Sequence, residues 1–124
     1  MAARKPVEWI GSSRSDLRAF PQDVRRVMGQ AIDDAQCGEE SLAAKALKGF
    51  AGRGVLEVVD DFDGGTYRAV YTVKFAGVVY VLHAFQKKSR KGIATPRHEF
   101  ELIKARLKRA EEHYRMNYVK GTSS

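Results

Sequence analysis

Arg68, Tyr71, His83, Phe85, Lys87 and Lys88 are the residues whose types and spacing could act together on a phosphodiester. Cleavage of RNA asks little covalent help of a protein, because the ribose 2′-hydroxyl can attack its own phosphate. The protein must orient that attack, take a proton and stabilise charge on the phosphorane and the leaving oxygen. Fixed guanidinium and ammonium groups supply the electrostatic part. Histidine suits the proton transfer. An aromatic ring can hold a base by stacking. No metal or cofactor is required for this chemistry. Each residue also has a plainer reading. Arg68 could be a solvated strand residue or pair with Glu57, and Phe85 could be core. His83 could be a core histidine with its hydrogen bonds satisfied, and the run Lys87–Lys91 could only blunt a sheet edge. Convergence on one face is what favours the chemical reading.

That face must come from the stretch Gly54 to Lys91, which holds most of the chain's β-favouring residues. Gly64-Gly65 and Ala76-Gly77 break it into runs, predicting an antiparallel meander with strands near 54–61, 65–75 and 78–87. A two-residue loop at Ala76-Gly77 sets Phe75 opposite Val78, Val73 opposite Tyr80, Tyr71 opposite Leu82 and Ala69 opposite Ala84. Side chains alternate along a strand, so this apolar set forms one face, the expected core side. The other face then carries Arg68, Val70, Thr72 and Lys74 beside Val79, Val81, His83, Phe85 and Lys87.

The rest of the chain supplies the support. Residues 7–10 (VEWI) read as a first strand, beside the meander. A short helix is expected over 15–20, after the Ser13-x-x-Asp16 signature. Pro21 starts a second helix, in which Val24, Val27, Ala31, Ile32 and Ala35 recur at helical spacing and Gly38 marks the stop. Residues 39–48 read as one helical turn or a packed loop, and the glycines at 49, 52 and 54 as a flexible entry to the sheet. Thr95-Pro96 reads as an N-cap and first position of a last helix over about 96–115. Phe100, Ile103, Leu107, Ala110 and Tyr114 form its stripe, with Lys104, Arg106, Lys108 and Arg109 in other directions. The fold class is α+β in a single domain over 1–124, with 117–124 a flexible tail.

Composition narrows the function classes. The chain has 124 residues and a net charge of +7, from 22 basic and 15 acidic side chains. Such an excess points to a polyanionic partner, nucleic acid first. Cys37 is the only cysteine, which excludes an internal disulfide and a cysteine-based zinc site. No apolar run approaches the roughly 18 residues that span a bilayer, and the N-terminus lacks the apolar core of a signal peptide. The expected compartment is the cytoplasm, without membrane contact. His98-Glu99 begins like a HExxH zinc motif, but Leu102 occupies the last position and the motif fails. No serine or cysteine nucleophile signature is present. Asp60, Asp61 and Asp63 sit at a hairpin tip, where carboxylates serve turns and solubility.

At these residues a family resemblance emerges. TYRAVYTV, then a hairpin and VVYVLHAFQKKSRKGIATP, resembles the RelE/HigB-type toxins of bacterial toxin–antitoxin systems, in their phage-derived, HigB-like branch. The matching residues are Tyr67-Arg68 with Tyr71, then Leu82-His83, Phe85, Lys87-Lys88, Lys91 and Thr95-Pro96. Leu47 to Val58 matches the family's approach to the sheet, and the likeness covers roughly residues 7–115. It implies an antiparallel sheet with N-terminal helices on one face. It further implies a metal-independent, cofactor-free, ribosome-dependent mRNA endonuclease (an mRNA interferase, a hydrolase) in the cytoplasm. A cognate antitoxin, of helix-turn-helix type and encoded nearby, would neutralise it. Arg68, His83, Lys87 and Lys88 would be catalytic; Tyr71, Lys74, Phe85, Arg90 and Lys91 would contact RNA. The chain departs from RelE-type members at Glu57, where they carry lysines, and in having no tyrosine between Lys91 and Pro96. The alternatives on the same fold are a ParE-like gyrase inhibitor without catalysis and a plain RNA-binding module.

Overall fold

The structure, a computed structural model, describes residues 4–50, 52, 54–87 and 95–119. The expectations for Lys88, Arg90, Lys91 and the end of the tail lie outside the described residues. In chain order the elements are β1 (Val7–Trp9), α1 (Ser13–Arg18), α2 (Gln22–Gln36), β2 (Ala44–Ala46), β3 (Val55–Phe62), β4 (Gly65–Thr72), β5 (Val79–Lys87) and α3 (Arg97–Asn117).

The β-branched and aromatic run forms the meander β3–β4–β5, as its composition requires. Asp63 and Gly64 turn the first hairpin with φ of 50° and 82°, the left-handed pair that matches strand twist. The second turn closes with Val78 N–H donating to Phe75 C=O across 3.4 Å, and Gly77 takes φ 83°. The sheet order is β1-β5-β4-β3-β2, with β1 parallel to β5 and the other pairs antiparallel. Residues 44–46 form a short edge strand, where a helical turn or loop was expected. Lys45 pairs with Glu57, and Leu47 N–H continues the ladder to Val55 C=O.

One local irregularity decides which residues share a face. Arg68 pairs with Phe85, Ala69 with Ala84 and Val70 with His83, as the sequence predicts. Tyr71 then pairs with Val81 rather than Leu82, because Leu82 is an extra residue bulged out of β5. The predicted apolar face therefore splits. Ala69, Tyr71, Val81 and Ala84 pack against α1 and α2, where Val24, Met28 and Ala31 are fully buried. Val70, Val78, Tyr80, Leu82 and Phe85 pack on the other side, against Ile103, Leu107 and Ala110 of α3. Both faces are thus covered, and neither is half-solvated along its length. Each large apolar side chain buried this way contributes about 1.5–3 kcal/mol.

α2 and α3 begin one residue later than expected, whereas α1 spans Ser13–Arg18 rather than 15–20. Pro21 and Pro96 sit just outside α2 and α3, with ψ of 151° and 150°. Their fixed φ suits entry to a helix, and the missing N–H loses nothing at an end. In α2 the buried stripe runs through Met28 rather than Val27. No helix among the described residues is long and apolar enough to cross a membrane.

Candidate functional site

Arg68 comes from the middle of β4 and faces the α3 side of the sheet. Its cross-strand neighbours are Phe85 on β5 and Val59 on β3. Its Nη1 donates to Glu57 Oε1 at 3.1 Å and lies 3.5 Å from Thr95 Oγ1. The Thr95 hydroxyl thus serves the strand arginine, and no side-chain cap closes the start of α3. Lys87 stands two residues beyond Phe85 on the same row, opposite Thr66. Burial and the nearby Arg68 charge lower the pKa of its ammonium, and Glu57 partly offsets this. Two cations and one carboxylate are therefore gathered at one end of this face.

Alternation from Phe85 puts His83 on this same side, beneath the first turns of α3. Its ring stacks on Phe85 with centroids 4.8 Å apart and planes 21° from parallel. Nε2 lies 2.6 Å from Glu99 Oε1, and Nδ1 lies 3.2 Å from Arg106 Nη1. A guanidinium can only donate, so Nδ1 must accept and the ring proton sits on Nε2, aimed at Glu99. Arg106 is held in turn: Nη1 donates to Leu82 C=O at 3.1 Å and Nη2 to Ser12 Oγ at 3.3 Å. The Ser12 hydroxyl donates on to Asp16 Oδ2 at 2.7 Å. Arg106 Nε finds no partner among the described residues. An unmade bond of that kind costs about 1–3 kcal/mol, which the other contacts must offset. Gly11 makes room for the guanidinium: a Cβ there would lie 2.7 Å from Arg106 Cζ.

A cleft of about 560 Å³ opens beside this network, lined by Phe20, Tyr67, His83, Phe85, Gln86 and Glu99 among others. Three aromatic rings, an imidazole, an amide and the carboxylates of Asp16 and Glu99 meet there. This lining could stack a planar ring and hydrogen-bond its edge.

The structure brings together four of the residues singled out in the sequence, Arg68, His83, Phe85 and Lys87. It does not bring Tyr71 to them. Tyr71 is on the opposite face, 1% exposed against α2, and burial pushes its phenol up to about 12. Lys74 lies past the end of β4, in a separate groove with Lys104, Lys108 and Phe50. Arg106 was expected to point away with the neighbouring basic residues and instead is 9% exposed, inside the network. The spacing 99, 103, 106, 110 carried the signal, since it follows the buried stripe of α3. His83 is also more enclosed than a free general base: it is 5% exposed and both ring nitrogens are engaged.

A meander crossed by two N-terminal helices on one face and a C-terminal helix on the other is the fold of RelE. The chain is similar to a mutant of the Escherichia coli toxin RelE in the free state, with TM-score 0.54 and 15% identity over 86% of this chain and 97% of that one. It is also similar to a chain of the toxin–antitoxin complex RelBE2 from Mycobacterium tuberculosis, with TM-score 0.45 and 18% identity over 72% of this chain and 98% of that one. No curated protein sequence matches it. The chain belongs to the family described as Phage derived protein Gp49-like, which it matches over residues 15–108.

Proposed function

We propose that this protein is the toxin of a toxin–antitoxin pair and that it cleaves mRNA on the ribosome without a metal ion. The observation that carries the reading is the placement of Arg68 and Lys87 on one face, next to Phe85 and the His83 network. Two cations one strand apart suit the equatorial oxygens and the leaving oxygen of a phosphorane. The aromatic cleft beside them suits a base. Lys88, Arg90 and Lys91 would extend the basic surface along the RNA, and Lys74 would meet the backbone farther along. The RelE fold supports the toxin half of the proposal, and the net charge of +7 supports an RNA partner. A helix-turn-helix antitoxin encoded nearby would neutralise it, in the cytoplasm.

Both ring nitrogens of His83 have partners, Arg106 at Nδ1 and Glu99 at Nε2, which favours an orienting part for it over proton transfer.

The test is induction in cells and addition to a translating extract. Growth arrest with cleavage of ribosome-bound mRNA, unchanged by a chelator and lost in Arg68→Ala, is the expected result. The burial of Arg68 and Glu57, 5% and 6% exposed, favours the second reading, a binding protein of the same fold that inhibits gyrase. DNA breaks and a damage response with intact mRNA would select it.

A further inference from the structure

We infer that Glu99 is the proton acceptor of this site, and that His83 and Arg106 are its positioning residues; the inference rests on the nuclease reading above.

Three carboxylates stand near the cations and the cleft. Glu57 is committed to Arg68, its side chain 8% exposed. Asp16 accepts from Ser12 at 2.7 Å, at the α1 end of the cleft. Glu99 differs from both. Its Oε1 is fixed by His83 at 2.6 Å, while Oε2 is met by the exposed imidazole of His98 at 3.3 Å. Its side chain is 18% exposed and lines the cleft beside Phe85. One oxygen is therefore tethered, and the other meets an exposed imidazole on a side chain that lines the cleft.

The tether has a direction because of Arg106. The guanidinium supplies only N–H groups, so the tautomer with the proton on Nε2 is the one that fits between it and Glu99. Phe85 stacked on the ring fixes the plane of the imidazole. A carboxylate held in this way keeps its geometry through the reaction, and a ring held by hydrogen bonds on both sides aligns it without itself exchanging a proton.

The step balances as follows. The 2′-hydroxyl proton passes to Glu99 Oε2 as the O2′–P bond forms. The P–O5′ bond breaks, and O5′ takes a proton from the Lys87 ammonium. The products are a 2′,3′-cyclic phosphate and a free 5′-hydroxyl. Glu99 then gives a proton to water and Lys87 regains one. Arg68 stays charged throughout.

Two measurements test this on the full chain. In the first, histidine labelled with nitrogen-15 is followed by NMR. Wild-type His83 should show a protonated Nε2 and an unprotonated Nδ1, and Arg106→Met should mix the tautomers. A wild-type ring protonated on Nδ1 overturns the inference whatever the activity. In the second, mRNA cleavage is followed in single turnover in a translating extract. Glu99→Gln should lower the rate by about 10²- to 10⁴-fold, with Glu99→Asp recovering part of it and both retaining ribosome binding. Thermal melting shows whether each variant is folded. If the wild type cleaves and a folded Glu99→Gln cleaves within about twofold of it, Glu99 is not the acceptor and the nuclease reading stands. If the wild type fails to cleave while still arresting growth, the nuclease reading fails and this inference falls with it.

Discussion

Arg68 Nη1 and Glu57 Oε1 are 3.1 Å apart on neighbouring strands, with side chains 6% and 8% exposed. The two residues are diagonal across β3 and β4: Glu57 pairs with Val70, and Arg68 pairs with Val59. A charge this deep is expensive without a counter-charge, and the pair keeps the guanidinium ready on the site's face. Removing one member is costlier than removing both. Glu57→Leu should destabilise the protein by about 3 kcal/mol, because it leaves Arg68 buried without that carboxylate. The double variant Glu57→Leu, Arg68→Met should recover most of the loss. Urea unfolding of the wild type and the two variants measures both terms, and equal losses in the single and double variants would contradict the argument.

Gly11 is required twice over. Its φ is 59°, and a Cβ would meet Arg106 Cζ at 2.7 Å. Gly11→Ala should therefore cost about 1–3 kcal/mol and push the guanidinium away from His83. A lowered melting temperature together with a shifted His83 imidazole resonance is expected. A melting change without any histidine shift would mean that the strain is absorbed in the loop.

The element types came readily from the sequence, because β-branched alternation and helical spacing are local signals. The Leu82 bulge was not legible. Nothing in VLHAF marks an extra residue, and only the demand that both α2 and α3 find an apolar face creates it. That single residue moved Leu82, Tyr80 and Val78 to the α3 side of the sheet, while Tyr71 and His83 kept the faces that alternation gives them. The pairing of Arg68 with Glu57 could be read as one option, since adjacent strands bring opposite charges together. Glu99 and Arg106 were hidden because they are charged, although they lie on the buried stripe of α3. β2 was missed because three residues of Ala-Lys-Ala carry little strand preference and take their structure from β3.

In the proposed nuclease, Lys87 would separate charge from proton donation. Burial and Arg68 lower the pKa of its ammonium, which makes it a readier acid for a leaving alkoxide. Arginine keeps the charge but does not release a proton. Lys87→Arg should bind ribosomes and mRNA as the wild type does, yet cleave about 10²-fold more slowly, and Lys87→Met should lose both functions. Single-turnover cleavage beside a binding assay distinguishes them. An arginine variant that cleaves normally would assign Lys87 a purely electrostatic part.

The far end of α3 is fixed to β1 by a titratable bond, and its pH dependence can be worked out. Tyr118 Oη donates to Glu8 Oε2 at 2.6 Å, and this bond raises its pKa from 10.0 to about 12, with burial adding to the shift. Tyr71 rises to about 12 through burial. In the unfolded chain both phenols ionise near 10, whereas in the folded protein they stay protonated to about 12. Between those values the folded state binds more protons, so stability falls as pH rises. The contribution is complete below pH 10 and is lost by about pH 12. Tyr118→Phe should cost about 1 kcal/mol at neutral pH, since it removes a hydrogen bond to a charged carboxylate. It should also flatten the alkaline decline, because one of three raised phenol ionisations has gone, burial also pushing up Tyr80. Urea midpoints of both proteins across the alkaline range measure this. The curves should converge as pH rises, and curves that stay parallel would show that the Tyr118–Glu8 bond does not govern the decline.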